Sequence, residues 1–267
     1  MKKLTLMALL LANSTLANAG IVSVFGEELG GFSKSTINNF YNGLPGHSSS
    51  LAIGTLGTVN LSGVNLLWAT QPSDAYTGAE LNTMTSFLAG GGRIAFLGEH
   101  GSFGAAENTR INAALSFLGS TISINNVILD SGFRSASVGD GQILGHPLTT
   151  GVNTYEYAAF APLTISGTAQ ALMLGEDSYL GNPSIMMAFQ NIGPGSIFLI
   201  TDQNVWDNAP TWGGSFDNAR MFENLLQGNT GAPPVDTSNV PVPAALPLMA
   251  STLAAFGLSR RRLQLKV

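Results

Sequence analysis

The 267-residue chain has no cysteine. That excludes a thiol nucleophile, a disulfide framework and any cysteine-based zinc or iron–sulfur site. Charge is nearly as scarce, at 10% of residues, and basic residues are rarest in the middle. Of 11 Lys and Arg, Lys2 and Lys3 open the chain, and Arg260, Arg261, Arg262 and Lys266 close it. Five bases remain between them against all 16 acids, a formal −11 that argues against nucleic acid as a partner. Ligand spacing is missing too. His47, His100 and His146 are scattered, and no D-x-[DN]-x-[DN]-G loop occurs, so neither a metal site nor a cofactor is expected. What the chain has in quantity is hydrophobic residues, 45%, and 32 glycines: enough for a sizeable core joined by tight turns.

Both ends read as addresses. Residues 1–19 have the form of a secretory signal peptide: Lys2-Lys3, an apolar centre from Leu4 to Leu11, and Ala17-Asn18-Ala19 as a cleavage site for signal peptidase. Residues 229–239 have linker composition. Residues 240–267 then run through Val240-Pro241-Val242-Pro243-Ala244 into an apolar segment and end on the Arg260-Arg261-Arg262 block. From Ala244 to Ser259 a helix would reach about 24 Å, short against a hydrocarbon core of about 30 Å, with the arginines held at the cytoplasmic face. This proline motif, short apolar helix and basic stop resemble the PEP-CTERM sorting signal of Gram-negative bacteria, in its Val-Pro-x-Pro-Ala variant. The resemblance implies transient insertion in the inner membrane, cleavage by exosortase, and a final place on the cell surface or outside it. An ordinary C-terminal membrane anchor is the other reading.

Residues 20–228 read as one domain. Ile21–Gly26 is a continuous apolar run, the form of a strand buried on both faces. Ile37, Phe40, Tyr41 and Leu44 give a helical stripe that predicts a helix over 33–43. Strands are expected at 51–56 and 64–69. Thr77 and Glu80 have capping-box spacing before a helix that Gly90-Gly91-Gly92 stops. The strand Ile94–Leu97 follows, then a helix carrying Ile111, Ala114, Leu115 and Leu118. Beyond Thr121 the pattern loosens into short strand-like runs, read as an insertion at the sheet edge. Residues 184–201 suggest a hairpin whose second arm rejoins the main sheet, and a last helix is expected over 216–226 with Ser215 as its cap. Strand and helix alternate, which predicts a parallel sheet with helices on both faces.

The segments LLWATQPSDAYTGAELNTMTSFLAGGGRIAFLGE, GHPLTTGVNTY, AQALMLGED and GPGSIFLITDQNVWDN, in that order, resemble the flavodoxin-like domains related to class I glutamine amidotransferases. The resemblance implies an α/β fold of that type. In active amidotransferases the turn after the corresponding strand carries a nucleophilic cysteine. Here that turn holds Glu99 and His100, so glutamine hydrolysis by that route is excluded.

In a parallel sheet, ligands bind outside the carboxyl ends of the strands. That places Glu27, Glu28, Asp74, Glu99, His100, Asp202 and Asn204 around one rim, as a polar pocket or as caps for the helices that come next. Trp206 and Trp212 lie in the loop after the last strand: exposed, they could stack on sugar rings; buried, they merely cover the sheet end. A binding or structural module, with extracellular polysaccharide as partner, is the leading expectation. The alternative is a secreted hydrolase using Ser102, His100 and Glu99, in which Gly101-Ser102-Phe103-Gly104 partly matches the G-x-S-x-G elbow and Asp202 is a further triad candidate.

Overall fold

A computed structural model describes residues 20–26, 33–207 and 215–227. The stretches read as signal peptide, linker and sorting tail, including Val240–Ala244 and Arg260–Arg262, lie outside these residues, as do Glu27, Glu28 and Trp212. Among the described residues no helix is long and apolar enough to cross a membrane.

The domain is α/β. Its elements are β1 (Ile21–Gly26), α1 (Ser33–Gly43), β2 (Ser48–Leu51), β3 (Leu66–Thr70), α2 (Gly78–Ala89), β4 (Arg93–Leu97) and α3 (Gly101–Phe117). After them come β5 (Ile122–Ile124), β6 (Arg134–Ser137), β7 (Thr154–Tyr157), β8 (Leu163–Ile165), β9 (Gln170–Tyr179), β10 (Asn182–Ile192) and β11 (Gly195–Ile200). Two helices, α4 (Asn204–Asp207) and α5 (Asn218–Gln227), finish it. The main sheet runs β2-β1-β3-β4-β11-β10-β8-β5, with β9 also on β10. It is parallel from β2 to β11 and antiparallel beyond, so the sheet is mixed.

Strand periodicity divides the core into two layers, because successive side chains point to opposite faces. Leu66 and Trp68 face a layer containing Ile37 and Phe40 of α1, Trp206 of α4 and Phe222 of α5. Leu67 and Ala69 face the other, with Met84 and Phe87 of α2 and Ile111 and Leu115 of α3. Helices therefore cover both faces, as the alternation predicts.

Several local signals are realised. Thr77 Oγ1 accepts from Glu80 N at 3.3 Å, and Glu80 Oε2 accepts from Thr77 N at 2.8 Å, completing the capping box. The β10–β11 hairpin turns through Gly193 at φ +57°, and β11 pairs parallel with β4. Others differ. The second strand is Ser48–Leu51, and Leu56–Thr58 forms a 3₁₀ turn. Tertiary pairing decides this: Ser48, Ser49 and Ser50 align with β1 although they are not apolar. The last helix starts at Asn218, so Ser215 does not cap it; the Asp217 carboxylate just before it accepts from Asn153 N and Thr154 N.

The insertion is clasped by Asp130, which is fully buried at φ +49°. Its carboxylate accepts from Tyr157 Oη, Glu176 N and Asp177 N at 2.6–2.7 Å.

Candidate functional site

The carboxyl ends of β1, β3, β4 and β11 form one rim. Its β4–β11 half is closed. Glu99 comes after β4 with its side chain 1% exposed; Oε1 accepts from His100 N at 2.7 Å and Oε2 from Gln203 N at 3.1 Å. Close packing enforces this inward turn. A Cβ added at Gly104, where α3 departs from helical geometry, would stand 2.6 Å from Glu99 Cβ. Asp202 is fully buried after β11, its two oxygens accepting from Ala158 N at 2.7 Å and Asn204 N at 2.8 Å. It opens α4 and braces the segment after β7, which is the capping reading.

Two glutamines complete this half. Gln71 follows β3 at φ +21°, and its Nε2 donates to Gln203 Oε1 at 2.7 Å, both residues being buried. One clue to Gln71 was available in the order of residues: a long polar side chain stands directly after a strand whose five positions are all buried. Asn108, from α3, is buried as well and accepts from Glu99 N at 3.1 Å.

Ser102 and His100 do meet. Ser102 Oγ lies 2.9 Å from His100 Nδ1, and His100 Nε2 lies 3.7 Å from Glu99 Oε1, too far for a hydrogen bond. Burial holds the imidazole below its ordinary range, so it is neutral at neutral pH. Ser102 is exposed in the first turn of α3. None of Glu99, His100 and Ser102 has positive φ, so the strained turn of a nucleophile elbow is not formed here. The Asp202 oxygens are engaged by Ala158 N and Asn204 N, so the acid of a triad is committed to backbone.

Trp206 is 1% exposed and stacks on Phe222 at 4.1 Å between ring centroids, edge-on to Trp68 at 5.4 Å. It is a core residue. This corrects its place among the pocket candidates: a short helix after β11 folds it beneath α1 and α5.

The β1–β3 half is open. A cleft of about 480 Å³ lies there, bounded by Phe25 and Gly26 of β1, Lys34 of α1, the segment after β2, and Ser73, Asp74, Tyr76 and Thr77 after β3. Its floor is sealed by backbone. Gly26, at φ +116°, approaches β3 so closely that a Cβ would meet Thr70 O at 1.9 Å. The rings of Phe25 and Tyr76 stand 6.5 Å apart, tilted by 36°. Burial, with the nearby Glu80 and Asp74 carboxylates, pushes the Tyr76 phenol up, and its buried hydroxyl has no hydrogen-bond partner among the described residues. Glu80 also lines the cleft, but its oxygens are taken by Leu56 N, Thr77 N and Thr77 Oγ1. Among the described residues Asp74 is thus the one pocket candidate from the sequence with an open side chain in the cleft; Phe25, Lys34 and Tyr76 were missed because each lies at the end or flank of an element. Among the described residues no cluster of three or more His, Asp or Glu could hold a metal ion.

No family model and no curated protein matches the sequence. In structure the chain is similar to the mmIFT52 N-terminal domain, with TM-score 0.57 and 17% identity over 78% of this chain and 96% of that one. It is similar also to a cytoplasmic protein from Salmonella typhimurium, with TM-score 0.52 and 10% identity over 78% and 98%. A third is a β-galactosidase from Rahnella sp. R3, with TM-score 0.51 and 15% identity over 81% of this chain and 32% of that enzyme. At such identities the likeness is one of fold.

Proposed function

We propose that the chain is an exported, exosortase-processed protein of the cell surface or extracellular matrix, and that its α/β domain is a binding module. In this reading the domain is a flavodoxin-like relative of the class I glutamine amidotransferases that does no amidotransferase chemistry. The strand order β2-β1-β3-β4-β11 supports the flavodoxin-like assignment, since it reverses direction between β1 and β3, the switch point at which such sheets bind ligands. One observation carries the binding reading. At the turn where amidotransferases keep their nucleophile, Glu99 is turned inward onto backbone N–H groups, while the open cleft lies at the β1–β3 end.

Signal peptidase and exosortase are the partners during export, and extracellular polysaccharide is the partner afterwards. Mass spectrometry of the protein recovered from culture tests the first part: the mature chain begins near Gly20 and ends near the Val240–Ala244 motif. An intact tail embedded in the inner membrane would refute it. Retention of the same material on matrix polysaccharide, without esterase or glycosidase turnover, tests the second.

The 2.9 Å Ser102–His100 contact favours a second reading, a secreted hydrolase. It requires activity that disappears in both Ser102→Ala and His100→Ala proteins.

A further inference from the structure

The β1–β3 cleft differs from the β4–β11 half of the rim in what its side chains are doing. Asp74 is exposed, and its carboxylate accepts no hydrogen bond and forms no ion pair among the described residues. Lys34, half-buried on the opposite wall, has no ion pair there either. Tyr76 keeps a buried hydroxyl without a partner among them. The cleft's volume is typical of small-ligand sites, and the exposed Asp74 carboxylate is free to accept from an occupant.

The lining also specifies the occupant's chemistry. Aromatic faces from Phe25 and Tyr76 suit a flat apolar surface. Around them stand the exposed neutral hydroxyls of Thr55 and Ser73 and the acceptor Asp74. A ring with an apolar face and a rim of hydroxyl donors matches both. An anion does not. Among the described residues Lys34 is the single base of the lining, set against Asp74 and Glu80.

We propose that this cleft is a binding site for an uncharged sugar residue, one or two rings of a neutral glycan, with Asp74 accepting from sugar hydroxyls and the Phe25–Tyr76 pair covering an apolar face. It rests on the binding-module reading and gives that reading its site and ligand class.

Calorimetric titration of the mature protein from culture tests it. The probes are neutral oligosaccharides released from the producing cells' own matrix, a uronate-containing set, and adenosine monophosphate. Saturable binding is expected for the neutral set alone. Affinity falls at least tenfold in Asp74→Ala and in Thr55→Trp, which fills the cleft; unchanged thermal melting verifies that each variant folds. Wild-type affinity in Asp74→Ala and Thr55→Trp, no binding of the neutral set, or preference for a charged probe overturns the proposal. The two levels separate by retention on intact matrix polysaccharide: if wild type and Asp74→Ala are retained equally, the module reading stands and this site falls. Absence of both retention and titration removes both.

Discussion

The two halves of the carboxyl rim treat polar side chains in opposite ways. Between β4 and β11, Glu99, Gln71, Gln203 and Asp202 are all buried, and the two carboxylates each take two backbone N–H donors. Around the β1–β3 cleft, Asp74 is exposed and the Tyr76 hydroxyl has no partner among the described residues. The strands end alike, but their connections to the next helix differ. After β4 and β11 a helix starts within four residues, so side chains there are drawn under its first turn; α2 begins only eight residues after Thr70, which leaves room for a cleft beyond β3. A carboxylate fixed by backbone donors holds the chain in place. One left open is available to a ligand.

The largest effect that would sharpen this contrast is expected at Trp206. Truncation to alanine removes a ring packed on Trp68 and Phe222, and should lower unfolding free energy by about 3–5 kcal/mol. Denaturant titration measures it; a mild effect would mean that the tryptophan is available at the surface after all. Glu99→Ala comes next, at about 2–4 kcal/mol, because it strands the Gln203 and His100 N–H groups in a buried setting. A neutral result would break the distinction between the two halves.

A pH effect ranks third in size. Burial lowers the pKa of both His100 and His146 in the folded state, so the unfolded chain binds more protons as pH falls. Stability is therefore full above the ordinary histidine value of about 6.5 and declines as pH drops through it. His146 adds a geometric reason, since its Nδ1 accepts from Leu148 N and protonation ends that bond. Denaturation midpoints across this window should fall with acidification, and less steeply in a His100→Gln, His146→Gln protein. The smallest effects belong to the exposed groups. Ser102→Ala and Asp74→Ala should each change stability by less than about 0.5 kcal/mol, with Asp74→Ala altering binding only. A Ser102→Ala protein that folds normally yet loses a measurable hydrolase activity would reopen the β4 turn as a catalytic site.

Elements written in local spacing are legible in the residues themselves. The stripe of Ile37, Phe40 and Tyr41, the Thr77–Glu80 box and the strand at Ile94–Leu97 depend on neighbours a few residues away. The short strand β2 lies several residues ahead of the apolar run expected to form it, because a serine run becomes a strand only when β1 offers it a ladder. The site divides in the same way. The rim's location is readable from the order of strands and helices, and Asp202 with Asn204 as a cap from their adjacency. That Trp206 is core and Asp74 open is not, since exposure is set by which helix lies above a residue.

Taken alone, the chain's residues determined an α/β domain without a thiol nucleophile. Only the tertiary structure decided which of the rim's polar groups are closed and which are open. Hydrophobic periodicity and capping are properties of consecutive residues, whereas burial arises when Gly104 admits Glu99, α5 covers Trp206, and nothing among the described residues satisfies the Asp74 carboxylate.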